Sequence, residues 1–224
     1  GEEFPVIGFE DTLENHVQLA QVVVNKIKPL AHFSGYLNHG YYPFYKQFGD
    51  LYHHQIEAVV RMIIEIELPM LRGVDIAHAL KIKQLLQIIA DSVPFVPNVS
   101  KISEKTKINR NTVLRYLHYL NDSGIISNLF RPNQGISLLQ KPEKIFLENT
   151  NLSFALSGSN VNVGNLREAF FYNQVSSLHK VNFPEKFDFL VDKNHVFEIG
   201  GKSKKVKSES LPNYVAMDDI EIGN

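Results

Sequence analysis

Two acidic side chains near the C-terminus have the type and spacing that could hold a divalent metal ion. Asp188 lies in the apolar stretch 187–191, and Glu198 lies in the stretch 195–199. A short turn at Lys193-Asn194 separates the two stretches, so they are predicted to form neighbouring strands. Magnesium prefers oxygen ligands such as carboxylates. The sequence therefore predicts a metal site at Asp188 and Glu198.

Two further side chains would complete a catalytic set for phosphodiester hydrolysis. Lys202 follows Glu198 after Gly200-Gly201, and an ammonium group there would lie near the attacking water. Glu168, on a predicted upstream helix, would hold a metal-bound water. Strand side chains alternate, so Lys202 shares the face of Glu198 if the strand stays regular, although paired glycines favour a bend. The predicted catalytic residues are Glu168, Asp188, Glu198 and Lys202.

A second candidate site is the basic stretch between Asn98 and Leu120. Five basic residues stand there against one acid, Glu104, in a chain whose formal net charge is −1. Lysine and arginine neutralise phosphates, and Arg and Asn also form paired hydrogen bonds with guanine and adenine. We therefore predict binding to double-stranded DNA, with a protein–protein spacer as the alternative. The predicted DNA-binding residues are Lys101, Lys105, Lys107, Arg110, Asn111, Thr112 and Arg115.

A second basic run begins at Lys202 and continues through Lys204, Lys205 and Lys207, opposed nearby by Glu209. It could follow a phosphate backbone beside the acidic pair. A run of like charges is more often a solvated loop, which is the interpretation favoured here.

The elements that position these residues are read from hydrophobic periodicity and from Pro and Gly breaks. Apolar residues at helical spacing predict helices over 11–37, broken at Pro29, over 51–67, stopped by Pro69, and over 76–90. Residues 98–120 predict two short helices with a tight turn, and Gly124 ends the second. Strands 125–130 and 136–139 would follow as a hairpin. A helix-turn-helix followed by a hairpin is a winged helix.

The last part of the chain has a different pattern. A strand over 144–147 and a helical turn over 149–156 precede a helix over 165–178, and strands over 187–191, 196–199 and 214–217 follow. The predicted fold class is α+β. It has a helical N-terminal region over 1–68, a winged helix-turn-helix over 69–140 and an α/β domain over 141–224.

Composition excludes several classes of protein. There is no cysteine, which excludes disulfides and thiolate metal sites and favours the cytoplasm. No apolar run approaches the roughly 20 residues of a membrane span, so no membrane partner is expected. The chain begins with Gly1 rather than Met, which indicates a piece of a longer protein.

A set of sequence strings stands in a distinctive order along the chain. The strings are Gly35-Tyr36-Leu37, Gly40-Tyr41-Tyr42-Pro43, Pro97-Asn98-Val99-Ser100-Lys101-Ile102, Lys141-Pro142-Glu143-Lys144-Ile145-Phe146-Leu147-Glu148-Asn149, Leu166-Arg167-Glu168-Ala169-Phe170-Phe171, Asp188-Phe189-Leu190 and Phe197-Glu198-Ile199-Gly200-Gly201-Lys202. Together they resemble the region that follows the nucleotide-binding core in certain bacterial and archaeal AAA-type ATPases. The resemblance covers essentially the whole chain and implies lid-like helices, a winged helix and a domain similar to PD-(D/E)xK nucleases.

The resemblance also implies what this chain lacks. No phosphate-binding glycine loop is present, because Gly201-Lys202-Ser203 has Val196 where the first glycine of such a loop belongs. ATP would therefore bind a core that precedes Gly1. In the resembled nucleases the lysine stands two residues after the acid, where this chain has Gly200. Lys202 would start about 6.6 Å further along the strand.

These observations predict a nucleic-acid-binding or partner-docking region without independent catalysis. Its nuclease-like site is interpreted as a retained scaffold that needs no cofactor of its own. One alternative is a magnesium-dependent DNA endonuclease. Another is a structural domain that assembles with itself or with a protein partner.

Overall fold

The computed structural model describes residues 3–92, 94–132, 139–158, 161–202, 204 and 212–222. Helices dominate the N-terminal part, and a four-stranded sheet follows the last helix, so the predicted α+β class is confirmed. The helices are α1 (Phe9–Lys26), α2 (Pro29–His39), α3 (Tyr45–Phe48), α4 (Tyr52–Met62), α5 (Leu68–Arg72), α6 (Ala79–Ala90), α7 (Val99–Thr106), α8 (Arg110–Asp122), α9 (Thr150–Ser157) and α10 (Val163–Ser176). The strands are β1 (Ile126–Leu129), β2 (Lys144–Leu147), β3 (Val181–Asn182), β4 (Phe189–Val191), β5 (His195–Gly200) and β6 (Asn213–Met217).

Two prolines were expected to interrupt helices, and only one does. The chain is extended at Ile27, and Pro29 then starts α2, as predicted. The prediction that Pro69 stops a helix is wrong. A π turn over Ile63–Glu67 joins α4 to α5, and Pro69 lies in the first turn of α5, where its missing N–H is tolerated. The helix ends instead at Gly73, whose φ is 62°.

Helices α7 and α8 are joined by the three-residue turn 107–109. Asn98 caps α7 by accepting from the N–H of Lys101, and Asn109 caps α8 by accepting from the N–H of Thr112. Lys107 takes a left-handed conformation with φ 54°. The two predicted helices and their tight turn are thus confirmed.

Two strands and a bridge complete the unit that α6, α7 and α8 begin. β1 pairs with β2 in antiparallel register, and Phe95 exchanges two backbone hydrogen bonds of 2.8 Å with Ile145 of β2. These bonds join residues on the two sides of 140/141, where the sequence analysis placed the boundary between the winged helix and the α/β domain. Of the predicted returning strand 136–139, residues 136–138 lie outside the described residues, and Leu139 lies in a turn.

The main hydrophobic core extends from Tyr52 to Ala155. A buried amide holds its helices together, because Asn151 is fully buried and lies between α2 and α4. Its Oδ1 accepts from the Tyr41 N–H at 2.9 Å and from the Tyr52 hydroxyl, and its Nδ2 donates to the Leu37 carbonyl at 2.7 Å. The buried amide therefore satisfies three partners at once, which fixes how α2, α4 and α9 meet.

The C-terminal sheet has the order β3-β4-β5-β6, with β5 and β6 parallel and the other pairs antiparallel. Helix α10 packs on it, and Ala169 joins Phe189, Phe197 and Ile199 in a second core. The short strand β3 was not anticipated from the sequence. Across the described ranges, none of the helices combines the length and apolarity needed to cross a bilayer.

Candidate acid–lysine site and basic helix surface

Asp188, just before β4, and Glu198, on β5, lie close together in the C-terminal sheet. Strands β4 and β5 pair in the register Phe189↔Phe197, and the Asp188 N–H donates to the Phe197 carbonyl at 3.0 Å. Phe197 therefore opposes both Asp188 and Phe189, which is the arrangement of a β-bulge just before β4. One ammonium group, that of Lys204, contacts both carboxylates. The structure therefore brings the two predicted metal ligands together.

A lysine that sequence reasoning did not assign to the site lies between these acids. The ammonium of Lys204 is 2.5 Å from Glu198 Oε2 and 3.9 Å from Asp188 Oδ2. Glu198 is only 4% exposed, whereas the Lys204 side chain is 34% exposed. The hydrogen bond to Glu198, supported by the charges of Asp188 and Glu168, raises the pKa of Lys204 above its usual 10.5. The lysine is therefore held in its charged form.

Gly200 makes room for this lysine. A Cβ at position 200 would lie 2.8 Å from Lys204 Cβ and 2.9 Å from its Cγ, which is closer than side chains approach one another. The aliphatic part of Lys204 thus crosses the end of β5 over the bare backbone of Gly200. The residue that leaves the expected lysine position empty is the one that lets another lysine reach the acids.

Lys202 lies elsewhere. Strand β5 ends at Gly200, and the ammonium of Lys202 binds Asp219 Oδ2 at 2.7 Å. Both side chains of that pair are more than half exposed. The Lys202 hydrogen bond lowers the pKa of Asp219 below its usual 3.8. The structure thus does not bring Lys202 to Asp188 and Glu198.

Glu168 of α10 is held by a lysine from β2. Lys144 Nζ lies 3.0 Å from Glu168 Oε2, and both side chains are mostly buried. Burial raises the pKa of Glu168 above its usual 4.5, the Lys144 charge opposes that shift, and the Asp188 charge adds to it. Glu168 therefore interacts electrostatically with the acid–lysine pair, while its direct partner is Lys144.

Described residues include no group of three or more His, Cys, Asp or Glu arranged to hold a metal ion. Asp188 is instead oriented by the backbone, because its Oδ2 accepts from the Ile199 N–H at 2.8 Å. We call Asp188, Glu198 and Lys204 the acid–lysine site. Chemically it combines two carboxylates and one ammonium group beside the central strands of the sheet.

The second candidate surface lies on α7 and α8. Six of its seven predicted residues are exposed, and Thr112 is half-buried. None of its five basic side chains forms an ion pair with a carboxylate in the described ranges. The exposed residues are Lys101, Lys105, Lys107, Arg110, Asn111 and Arg115.

The geometry of this surface is fixed by contacts between the helices. Arg110 Nη1 donates to the Ser100 hydroxyl at 3.2 Å, which ties the start of α8 to the first turn of α7. Lys81 of α6 donates to the Lys107 carbonyl at 3.4 Å, so a sixth base lies beside the turn. Sequence reasoning missed Lys81 because α6 was interpreted only as an amphipathic core helix.

The contributions of Lys204 and Lys144 had weak sequence signals. Lys204 appeared only as one member of a basic run, and Lys144 only as a residue of a strand. The Gly200-Gly201 doublet was a usable signal, because a missing side chain at a strand end permits a close crossing. Nothing in the local sequence indicates which later lysine makes that crossing.

No curated protein and no solved structure was found to match this chain. A family model, described as a domain of unknown function (DUF8612), matches residues 30–162, which is more than half of the chain. The match includes α2 to α9 with the buried Asn151 and the basic surface, and it ends before α10. The chain belongs to the DUF8612 family.

Proposed function

We propose that the protein binds double-stranded DNA through α7 and α8, which act as the helix-turn-helix of a winged helix over α6 to β2. The observation that carries this proposal is the set of exposed basic side chains on α7, the turn and the start of α8, none of which forms an ion pair with a carboxylate of the described residues. Bases without internal counter-ions are available to replace the cations condensed on DNA phosphates. Arg110 and Asn111 start α8, where side chains of a recognition helix reach base edges.

The order of elements supports the winged-helix part of the proposal. Helix α6, the Phe95 bridge, α7, α8 and the β1–β2 pair follow one another in the chain, and the bridge and both strands form one small sheet through β2. The broader likeness to the C-terminal region of a AAA-type ATPase, with ATP bound elsewhere in the parent protein, stays part of this proposal. The absence of cysteine suits a reducing compartment such as the cytoplasm.

A fluorescence-anisotropy titration with a labelled DNA duplex tests the proposal. The Arg110→Ala change removes one base at the start of α8, and we expect it to weaken binding about 10-fold at low salt. Lys46→Ala removes an exposed lysine on α3 and serves as the matched control, with no change expected. Failure of the unmodified protein to bind the duplex at low salt would contradict the proposal.

A second candidate function, magnesium-dependent DNA cleavage, is favoured by the convergence of Lys204 on Asp188 and Glu198. Two neighbouring carboxylates, already holding a cationic group, fit the hard oxygen ligands that magnesium takes. The ion would activate water and offset the charge that develops on the phosphate. Lys204 would hold and orient the attacking water. The negative charge of Glu168, which is paired with Lys144, would help to keep Lys204 protonated.

Plasmid nicking with magnesium or manganese tests the second function. We expect Lys204→Ala and Asp188→Ala to abolish nicking, whereas Lys202→Ala, which breaks only the exposed pair with Asp219, should leave it intact. Nicking that survives Lys204→Ala but is lost with Lys202→Ala would reject this assignment. If the unmodified protein nicks no plasmid with either metal, that result counts against DNA cleavage as a function.

A further inference from the structure

The continuous helix formed by α4, the π turn and α5 is apolar on two faces. One face is buried in the main core through Ile56, Val60, Ile64 and Leu68, each at most 6% exposed. A surface helix normally has a polar outer face, and a helix that is apolar all round is normally covered. The other face of this helix, and the start of α6 beside it, expose apolar side chains in an apolar stripe. The stripe consists of Val59, Met62, Ile66, Met70, Leu71, Ile76 and Leu80, which are 43, 44, 53, 78, 76, 73 and 67% exposed.

The members of the stripe form a common surface. Lys83 of α6 forms an ion pair with Glu65 of the π turn, so that face of α6 lies alongside the helix. Leu80 precedes Lys83 by three residues, so both lie on one face of α6. Ile76 lies in the 3-10 turn Ile76–His78 that leads directly into α6. The stripe therefore continues from the α4–α5 helix onto α6.

We propose that a second copy of this chain covers the apolar stripe in a two-fold symmetric dimer. The first argument is area. Seven apolar side chains at these exposures offer on the order of 500 Å² of apolar surface. A stable dimer buries about 800 Å² per partner, and about two-thirds of a homodimer interface is apolar, so it needs about 500 Å². The stripe supplies that amount.

The second argument is charge. Glu57, Arg61 and Glu65 follow one flank of the helix at four-residue steps with alternating sign. A two-fold axis crossing the helix at Ile63, near the middle of the stripe, sets Arg61 against Glu65 of the second copy, and the reverse pair forms by symmetry. Lys83 binds Oε1 of Glu65, and Oε2 has no partner among the described residues. Arg61 likewise forms no ion pair with any described residue, so both groups are available.

The dimer proposal does not depend on the proposed DNA surface. Arg72, at the end of α5, binds Asp122 at the end of α8 at 2.7 Å, so the two helices are linked by their C-terminal ends. The proposed DNA contacts lie at the opposite, N-terminal end of α8. A dimer through the stripe would therefore carry two copies of the N-terminal end of α8, and Leu80 brings the interface next to Lys81.

Sedimentation velocity of the full chain over a concentration series tests the dimer. We expect twice the monomer mass for the unmodified protein. Ile66→Glu places a charge in the stripe and should weaken association by about 30-fold or more. Leu178→Glu changes a side chain that is 86% exposed outside the stripe and should have no effect. A monomer at every concentration, or a dimer unaffected by Ile66→Glu, would overturn the proposal.

Mixing two charge variants tests the antiparallel arrangement. Arg61→Glu alone and Glu65→Arg alone each set like charges opposite one another, so each variant should associate less than the unmodified protein. An equimolar mixture should regain association, because each variant then faces an opposite charge on both flanks. A substitution that merely damaged folding would not be rescued by mixing. Failure of the mixture to regain association would overturn the proposed pairing.

Discussion

The Lys204 ammonium lies 2.5 Å from Glu198 Oε2 because Gly200, at the end of β5, has no side chain to block it. The buried carboxylate thus receives its cation from a residue beyond the end of the strand. Glu198 is 4% exposed, so a missing counter-charge there would cost stability. Three predictions test how this site is held.

The Gly200→Ala change should displace Lys204. The new Cβ would lie 2.8 Å from Lys204 Cβ, and the loss of the ion pair should lower the free energy of unfolding by about 1–3 kcal/mol. Gly201→Ala is the matched control, because its Cβ would lie 3.6 Å from the Arg167 guanidinium, an ordinary contact. Urea denaturation compares the two. Equal stability of both variants would show that Gly200 is not needed for the crossing.

Replacing Lys204 should matter more than replacing Lys202. Lys204→Met leaves buried Glu198 without this cation, whereas Lys202→Met breaks only an exposed pair, which water and salt screen. The Lys204 pKa is raised in the folded state, so its stabilisation is fully present below 10.5 and is lost as pH rises through the folded value. Thermal unfolding should show that Lys204→Met is less stable than the unmodified protein at neutral pH but not at strongly alkaline pH. A larger loss of stability in Lys204→Met at alkaline pH than at neutral pH would contradict a stabilising ion pair between Lys204 and Glu198.

Lys144→Met should raise the pKa of Glu168 further. Burial already raises it above 4.5, and the Lys144 charge is what opposes that rise. Because the folded pKa is raised, the stability from the protonated carboxyl is present below 4.5 and is lost as pH rises through the folded value. A carbon-13 NMR titration of the Glu168 carboxyl measures the change. An unchanged titration midpoint would mean that Lys144 does not influence Glu168.

Asn151→Ala should be among the most destabilising single changes in the chain. It leaves the Tyr41 N–H and the Leu37 carbonyl without their buried partner, which should cost about 3 kcal/mol or more. Asn111→Ala, at an exposed position on α8, is the control and should change stability by less than about 0.5 kcal/mol. Guanidinium denaturation gives both values. Similar stability for the two variants would refute the role assigned to the buried amide.

The features that the sequence predicted correctly are those that depend on local pattern, such as α7, α8 and the turn between them. The proximity of Asp188 and Glu198 followed from two short strands joined by a tight turn, because such strands pair with one another. The path of the chain after Gly200 was not predictable, since no periodic pattern fixes which lysine returns to the acids. The prediction that Pro69 stops a helix was wrong for a related reason. A π turn precedes Pro69 in the helix, and such turns have no simple sequence signature.

The salt dependence of DNA binding tests the central claim of duplex recognition by α7 and α8 most directly. The logarithm of the association constant should fall linearly with the logarithm of salt between about 50 and about 200 mM. Arg115→Ala should reduce that slope by about 1 and weaken binding to all duplex sequences alike. Lys46→Ala should leave the slope unchanged. Binding that is independent of salt, or a slope that Lys46→Ala reduces as much as Arg115→Ala does, would contradict the account.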